Sequence, residues 1–253
     1  MKSLQRLCIF YLESNIHVSI AAGVFIVISC YNYNNSFGVT YALFTFFSTL
    51  FSYNFIRLFE GKVTYNKVSL PVLKNQSWYV PLVMLLSLIG MVYFIPFFDI
   101  NELRILIPAF LLTFGYVFPV LRWKGQWVTF RDYPNLKVIS VALTWAIVGV
   151  LFPLYRYLDD PVVWIQFIQR FFLIFVLVIP FDIRDLQSDA QKLNTLPQWI
   201  GVGKSIKIGL LMLLLYVALD LVLLRYSSHF FISDVFVTLL SFLFLVNTKP
   251  NQS

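Results

Sequence analysis

Acidic, thiol and imidazole side chains are all scarce in this chain, with 12 Asp and Glu, two Cys and two His among 253 residues. Cys8 and Cys30 have no metal-ligand spacing and give no reason to expect a disulfide, and His17 and His229 sit near the ends of different helices. No cysteine or histidine metal centre is therefore expected. Charged residues of both signs make up only 12% of the chain, too few to coat a soluble domain of this length. Low-complexity tracts and tight internal repeats are also missing.

In their place stands apolar surface. Hydrophobic residues account for 59% and aromatics for 19%, with a mean hydropathy of +0.79. One soluble core cannot hide so much, so the lipid bilayer is the expected solvent. Apolar runs of about 20 residues, long enough to cross a hydrocarbon layer, recur along the whole length. The expected spans are 16–33, 38–59, 78–98, 103–121, 137–155, 162–181, 205–225 and 230–247. The expected fold is an all-α integral membrane protein, a multi-pass helical bundle forming one polytopic domain over residues 1–253. A transmembrane β-barrel would need segments of about ten residues with alternating polarity, which these continuous runs lack. "VISC", ending at Cys30, faintly resembles a lipoprotein cleavage box, but Glu13 and Asn15 interrupt the apolar stretch before it, so a first membrane helix is expected there.

The net charge is +7, yet the basic residues lie at helix ends and form no single patch, so no nucleic-acid partner is expected. Their distribution predicts orientation. With the N-terminus cytoplasmic, that side receives Lys2, Arg6, Lys62, Lys67, Lys74, Arg122, Lys124, Arg131, Lys137, Arg184, Lys192, Lys204, Lys207 and Lys249. The opposite side keeps Arg104, Arg156 and Arg225, as the positive-inside rule requires. The long connectors 60–77, 122–136 and 182–204 then face the cytoplasm, where chemistry is to be sought. The expected location is a bacterial inner (cytoplasmic) membrane with the site on its cytoplasmic face. Arg170 and Asp220 fall inside predicted spans toward the outer half, where a structural pair or snorkelling is expected.

Three of the twelve acids crowd into "DIRDLQSD", as Asp182, Asp185 and Asp189. At i, i+3 and i+7 they would share one helix face. Such a stripe suits a magnesium ion, which accepts one or two carboxylates and phosphate oxygens. It also suits a solvated acidic helix end with Arg184 and Lys192 as counterions, and spacing alone does not choose.

The longer segment "DIRDLQSDAQKLNTLPQWIG" resembles the second aspartate-rich motif of the UbiA-type membrane prenyltransferases, D-x-x-D-x-x-x-D followed by a basic residue and "TLP". Thr195, Leu196, Pro197, Gly201 and Lys204 fall where that pattern puts them. "FGYVFPVLRWKGQWVTFRDYPNLK" resembles the family's tyrosine-proline-basic signature, with Tyr116, Pro119, Arg122 and Lys124 as candidates. The family often has its basic residue four after the Tyr, whereas from Tyr116 the gaps are six and eight.

The resemblance implies a UbiA-like bundle, usually of nine helices. It implies that magnesium, held by Asp182, Asp185 and Asp189, binds an isoprenyl diphosphate whose prenyl group passes to an aromatic or other lipophilic acceptor. Asp182, Asp185 and Tyr116 would be catalytic, with Asn54, Arg57, Lys62, Arg122 and Lys124 at the diphosphate. The first aspartate motif of the family, N-D-x-x-D-x-x-x-D, departs sharply. Aligned on Asn54, its aspartate positions hold Phe55, Leu58 and Lys62. Glu60 is turned roughly 120° from the Asn54 face of a helix, which Arg57 and Gly61 share. Either Arg57 and Lys62 replace one magnesium, Arg suiting bidentate work, or the chain has lost transfer and binds an isoprenoid lipid or quinone, or supports a membrane complex. A transporter is a third reading, disfavoured because the charges gather at one face and not at the midplane. The ninth helix is either missing or fused near "LQRLCIFYL" as an interfacial segment.

Overall fold

The computed structural model describes residues 9–31, 33–59, 63–64, 67–68, 79–133, 135–186, 195–223 and 231–250. Helix dominates, and the chain divides into two units, residues 1–104 and 105–253.

The first unit holds α1 (Ile16–Tyr31), α2 (Gly38–Phe59), α3 (Tyr79–Phe94) and the short α4 (Ile100–Arg104), with a two-residue β-ladder pairing Val63–Thr64 with Lys67–Val68. Helix α1 packs on α2, and α2 on α3. Gly90 allows the second contact: a Cβ there would fall 2.6 Å from the Phe47 ring. In lipid, where apolar burial gives little drive between helices, such small residues let backbones close to van der Waals distance. Phe98 stacks its ring beside Tyr41 and Phe44, and the buried Glu102 accepts the Asp99 N–H to cap α4.

The second unit holds α5 (Leu106–Val117), a hairpin of β1 (Leu121–Trp123) and β2 (Gln126–Val128), α6 (Leu136–Ala146), α7 (Pro161–Arg184), α8 (Leu196–Ile200), α9 (Val202–Leu223) and α10 (Phe231–Asn247). Lys124 and Gly125 form the hairpin turn at φ 48° and 80°, the positive values a two-residue type I′ turn demands. Helix α6 runs on through one π turn, Ile147–Leu151. Asp160 starts α7 by accepting the Val162 N–H at 2.9 Å, with Pro161 at the first helical position, where a missing N–H does no harm.

Side-chain registers give the directions of three helices. Gly209 on α9 lies level with Ile179 of α7 and Leu245 of α10, since a Cβ there would meet both side chains. Farther along, Asp220 of α9 pairs with Gln169 of α7, and Tyr216 with Asp234 of α10. Helices α7 and α10 are therefore parallel, and α9 is antiparallel to both.

Among the described residues five helices are long and apolar enough to cross a membrane: Gly38–Arg57, Tyr79–Phe97, Ile100–Val117, Pro161–Arg184 and Val202–Leu223. Three apolar helices are shorter, Ile16–Tyr31, Leu136–Leu151 and Asp234–Asn247. Their outward faces are greasy: Leu85, Leu86, Ile89, Phe236 and Leu239 are all more than half exposed. An all-α, membrane-type chain in contact with lipid follows from this inverted surface. The expected helix 103–121 differs in detail, because Ile105 interrupts it and α5 stops at Val117. The Gly115 carbonyl then accepts the Phe130 N–H at 2.8 Å as the hairpin folds back, and the Phe130 ring fills the space a Cβ on residue 115 would need.

Candidate functional site

The carboxylate of Asp182 lies near the end of α7 and is buried, with a relative exposure of 1%. Lys137, in the first turn of α6, reaches it with Nζ 2.6 Å from Oδ1. A helix dipole disfavours a cation in the first turn and favours an anion facing it, so Asp182 supplies what that end of α6 lacks. Val138, Ile179 and Ile183, each 1% exposed or less, flank the pair in sequence and line the same helices. Immediately before α6, Asn135 takes a left-handed φ of 63°, and its Oδ1 is buried with no hydrogen-bond partner among the described residues.

Asp185 follows as the C-cap of α7, and Arg184 grips it at two points, Nε to Oδ1 at 2.8 Å and Nη2 to Oδ2 at 3.0 Å. Unlike the inner pair it is open to solvent, with side chains 49% and 36% exposed. Helix α7 ends at Arg184, and Asp189 and Lys192, which complete the expected stripe, lie outside the described residues.

The "TLP" that follows has a local structural purpose. Thr195 is the N-cap of α8, its N–H donated to Gln198 Oε1 at 3.1 Å, with Pro197 at the second helical position. Gly201, at φ 85°, then turns the chain into α9. Any side chain at residue 201 would strain that link. Lys204 stands exposed in the first turn of α9.

The tyrosine-basic candidates fall elsewhere. Tyr116 is half-buried near the end of α5, while Arg122 and Lys124 are exposed on the hairpin, Arg122 opposite Trp127 and Lys124 over the Trp123 ring at 6.0 Å. The structure instead brings Lys137 to the aspartate motif. Sequence reasoning missed it, although a signal existed: Tyr133, Pro134 and Lys137 have the tyrosine-proline-basic order with the basic residue four after the Tyr. Tyr133 packs edge-on against Trp123, ring centroids 4.9 Å apart, which ties it to the hairpin.

In the first unit Asn54 is fully buried and spends its side chain on backbone and neighbour. Its Nδ2 donates to the carbonyls of Ser14 and Leu50, both at 2.8 Å, and its Oδ1 accepts from Asn15 at 3.4 Å. Arg57 donates to the carbonyl of Glu13, whose carboxylate accepts the Tyr79 hydroxyl. Both residues hold the turn that leads into α1. Phe55 stacks on Phe51. Lys62, Glu60 and Gly61 lie outside the described residues.

At the other end of the second unit, Gln169 donates to Asp220 at 3.2 Å and Tyr216 to Asp234 at 3.2 Å, with Arg170 in electrostatic reach of Tyr216 and Asp234. These contacts tie α7, α9 and α10 together around Arg170 and Asp220, for which a structural pair or snorkelling was expected. Among the described residues no three His, Cys, Asp or Glu side chains gather as a metal group. No protein-family model, curated protein or solved structure matches the chain at a significant level.

Proposed function

We propose that this chain is a UbiA-like membrane prenyltransferase, moving a prenyl group from an isoprenyl diphosphate to an aromatic or other lipophilic acceptor. The observation that carries the proposal is the buried Asp182 facing Lys137 at 2.6 Å, at the head of the D-x-x-D-x-x-x-D segment. A buried carboxylate and ammonium at the end of an apolar helix are expensive to maintain, and polar groups at membrane depth are a mark of function.

In this proposal all eight apolar helices cross a bacterial cytoplasmic membrane, and the site opens on its cytoplasmic face. Asp182, Asp185 and Asp189 are the residues that would hold magnesium. Two hard carboxylates less than a helical turn apart suit an ion that takes few protein ligands and keeps sites for phosphate. When bound, it neutralises charge on the leaving diphosphate. Lys137 takes the diphosphate-binding role that the sequence had suggested for Arg122 and Lys124, and Tyr133 that of Tyr116 in orienting the donor. Ionisation breaks the allylic carbon–oxygen bond, its electron pair leaving with diphosphate. The carbon then bonds to the acceptor, which releases a proton. Apolar neighbours of Lys137 and Asp182, among them Val138 and Ile183, exclude the water that would quench a carbocation.

The test is magnesium-dependent binding of farnesyl diphosphate to the purified chain. Binding that needs magnesium and is lost in Asp182→Asn supports the proposal; binding indifferent to both ends it.

A second reading is a non-catalytic homologue that holds an isoprenoid lipid or quinone, or supports a membrane complex. It is favoured by Asn54 and Arg57, whose side chains are engaged with residues 13–15 where the family motif would use acids. A transferred product found in membranes with the native chain, and missing with Asp182→Ala, excludes it.

A further inference from the structure

Beside the parallel C-terminal ends of α7 and α10 runs an open groove of about 500 Å³. Its walls are apolar. Phe181 meets Phe244 edge-on at 5.5 Å across it, and Leu240 and Leu243 continue the wall along α10. These four side chains remain 43–52% exposed. The groove changes character where the helices end: Arg184 closes one side and Lys249 the other. Among its described lining residues there are two cations and no carboxylate.

We propose that this groove is a binding site for an anionic glycerophospholipid of the surrounding bilayer. The acyl chain lies along Phe181, Leu240, Leu243 and Phe244, and the headgroup phosphate sits between Arg184 and Lys249. Three observations select that occupant. First, from Leu240 to Asn247, where α10 ends, the helix rises roughly 10 Å before Lys249, so one molecule must be greasy for about two turns and anionic at its end. A membrane phospholipid is built that way. Second, the charge is complementary to an anion and to nothing else. No carboxylate lines the groove to receive the ammonium of a zwitterionic headgroup, and with Arg184 Nε and Nη2 engaged by Asp185, Lys249 is the principal cation for the phosphate. Lys249 is exposed and has no ion pair among the described residues.

Third, the local field has the right sign. Because Gly209 is level with Ile179 and Leu245, Lys204 and Lys207 near the start of the antiparallel α9 stand at the same end as Arg184 and Lys249. Both are exposed. Of the described carboxylates near that end, Asp182 and Asp185 are each matched by a cation, and Asp132, before α6, accepts the Thr129 hydroxyl at 2.8 Å. Clusters of Lys and Arg at the ends of membrane helices attract anionic headgroups in this way.

The groove adjoins the proposed magnesium residues through the Arg184–Asp185 contact, but the inference rests on the membrane character of the chain and not on the transfer chemistry. The test titrates the purified full-length protein with phosphatidylglycerol and, separately, phosphatidylcholine of the same acyl chains, reading bound lipid by native mass spectrometry. Phosphatidylglycerol is expected to bind about tenfold more tightly, and Lys249→Gln to weaken it about fivefold while leaving phosphatidylcholine unchanged. Leu243→Trp, at an exposed position, is expected to weaken both lipids by filling the groove. Equal binding of the two lipids overturns the proposal. So does a preference untouched by Lys249→Gln, which would assign it to the diffuse charge of Lys204 and Lys207. Farnesyl diphosphate binding is measured on the same variants and stays at the native level, so failure here and failure of the transferase reading are told apart.

Discussion

Lys137 and Asp182 are 45 residues apart in sequence and 2.6 Å apart in space, the ammonium at the start of α6 and the carboxylate near the end of α7. This ion pair is largely buried, its side chains 17% and 1% exposed, and its removal separates structure from function.

Lys137→Met leaves the Asp182 carboxylate buried without its cation and is expected to destabilise the protein by about 3–5 kcal/mol, whereas adding Asp182→Asn should recover much of that loss. Thermal unfolding of the single and double variants in detergent measures the coupling. Additive losses would show that the pair does not interact.

Asp185 predicts the opposite balance. Its contact with Arg184 is solvent-exposed, so Asp185→Asn should change stability by no more than about 1 kcal/mol. Under the transferase proposal the same substitution weakens farnesyl diphosphate binding at least about tenfold, as one lost charge-assisted contact implies. Calorimetry with and without a magnesium chelator reads this directly, and chelation should remove the difference between native and variant protein.

The two basic segments after α5 make competing predictions. Arg122→Ala and Lys124→Ala, on the exposed hairpin, are expected to leave diphosphate affinity within about twofold, the scale of surface substitutions away from a site. Lys137→Gln should abolish it. A large loss from the hairpin variants, with none at residue 137, would return the donor site to the hairpin.

Asn54→Ala removes the buried donor to the Ser14 carbonyl and the acceptor of the Asn15 amide, and should cost about 1–3 kcal/mol of stability. If Asn54 is structural, farnesyl diphosphate affinity per folded molecule is unchanged. Lowered affinity in a fully folded variant would restore Asn54 to a binding role.

The membrane character was legible in the sequence because it depends on local composition: runs of about 20 apolar residues have few alternatives to helix in lipid. The aspartate segment and its "TLP" were also visible, and Thr195, Pro197 and Gly201 turned out to be cap, first-turn and left-handed residues whose conformations are set by their own chemistry. Where α5 stops was harder to see. Apolar sequence continues through Val120, and it is the return of the hairpin, with the Phe130 ring on Gly115, that accompanies the helix end.

Which side chains meet could not be read from composition or spacing. Tyr133 and Lys137 carried the expected interval, yet Tyr116 with Arg122 and Lys124 offered another, and only packing of α6 against α7 distinguishes a cation beside Asp182 from cations on an exposed turn. The motif alignment gave Asn54 a binding role, but nothing in it pointed to the bond from its amide to the carbonyl of Ser14, 40 residues earlier. Sequence fixes what each segment prefers, through burial and backbone geometry. The partner of a polar group in an apolar interior is decided by tertiary structure, because that group must bond to whatever the folded chain brings within about 3 Å.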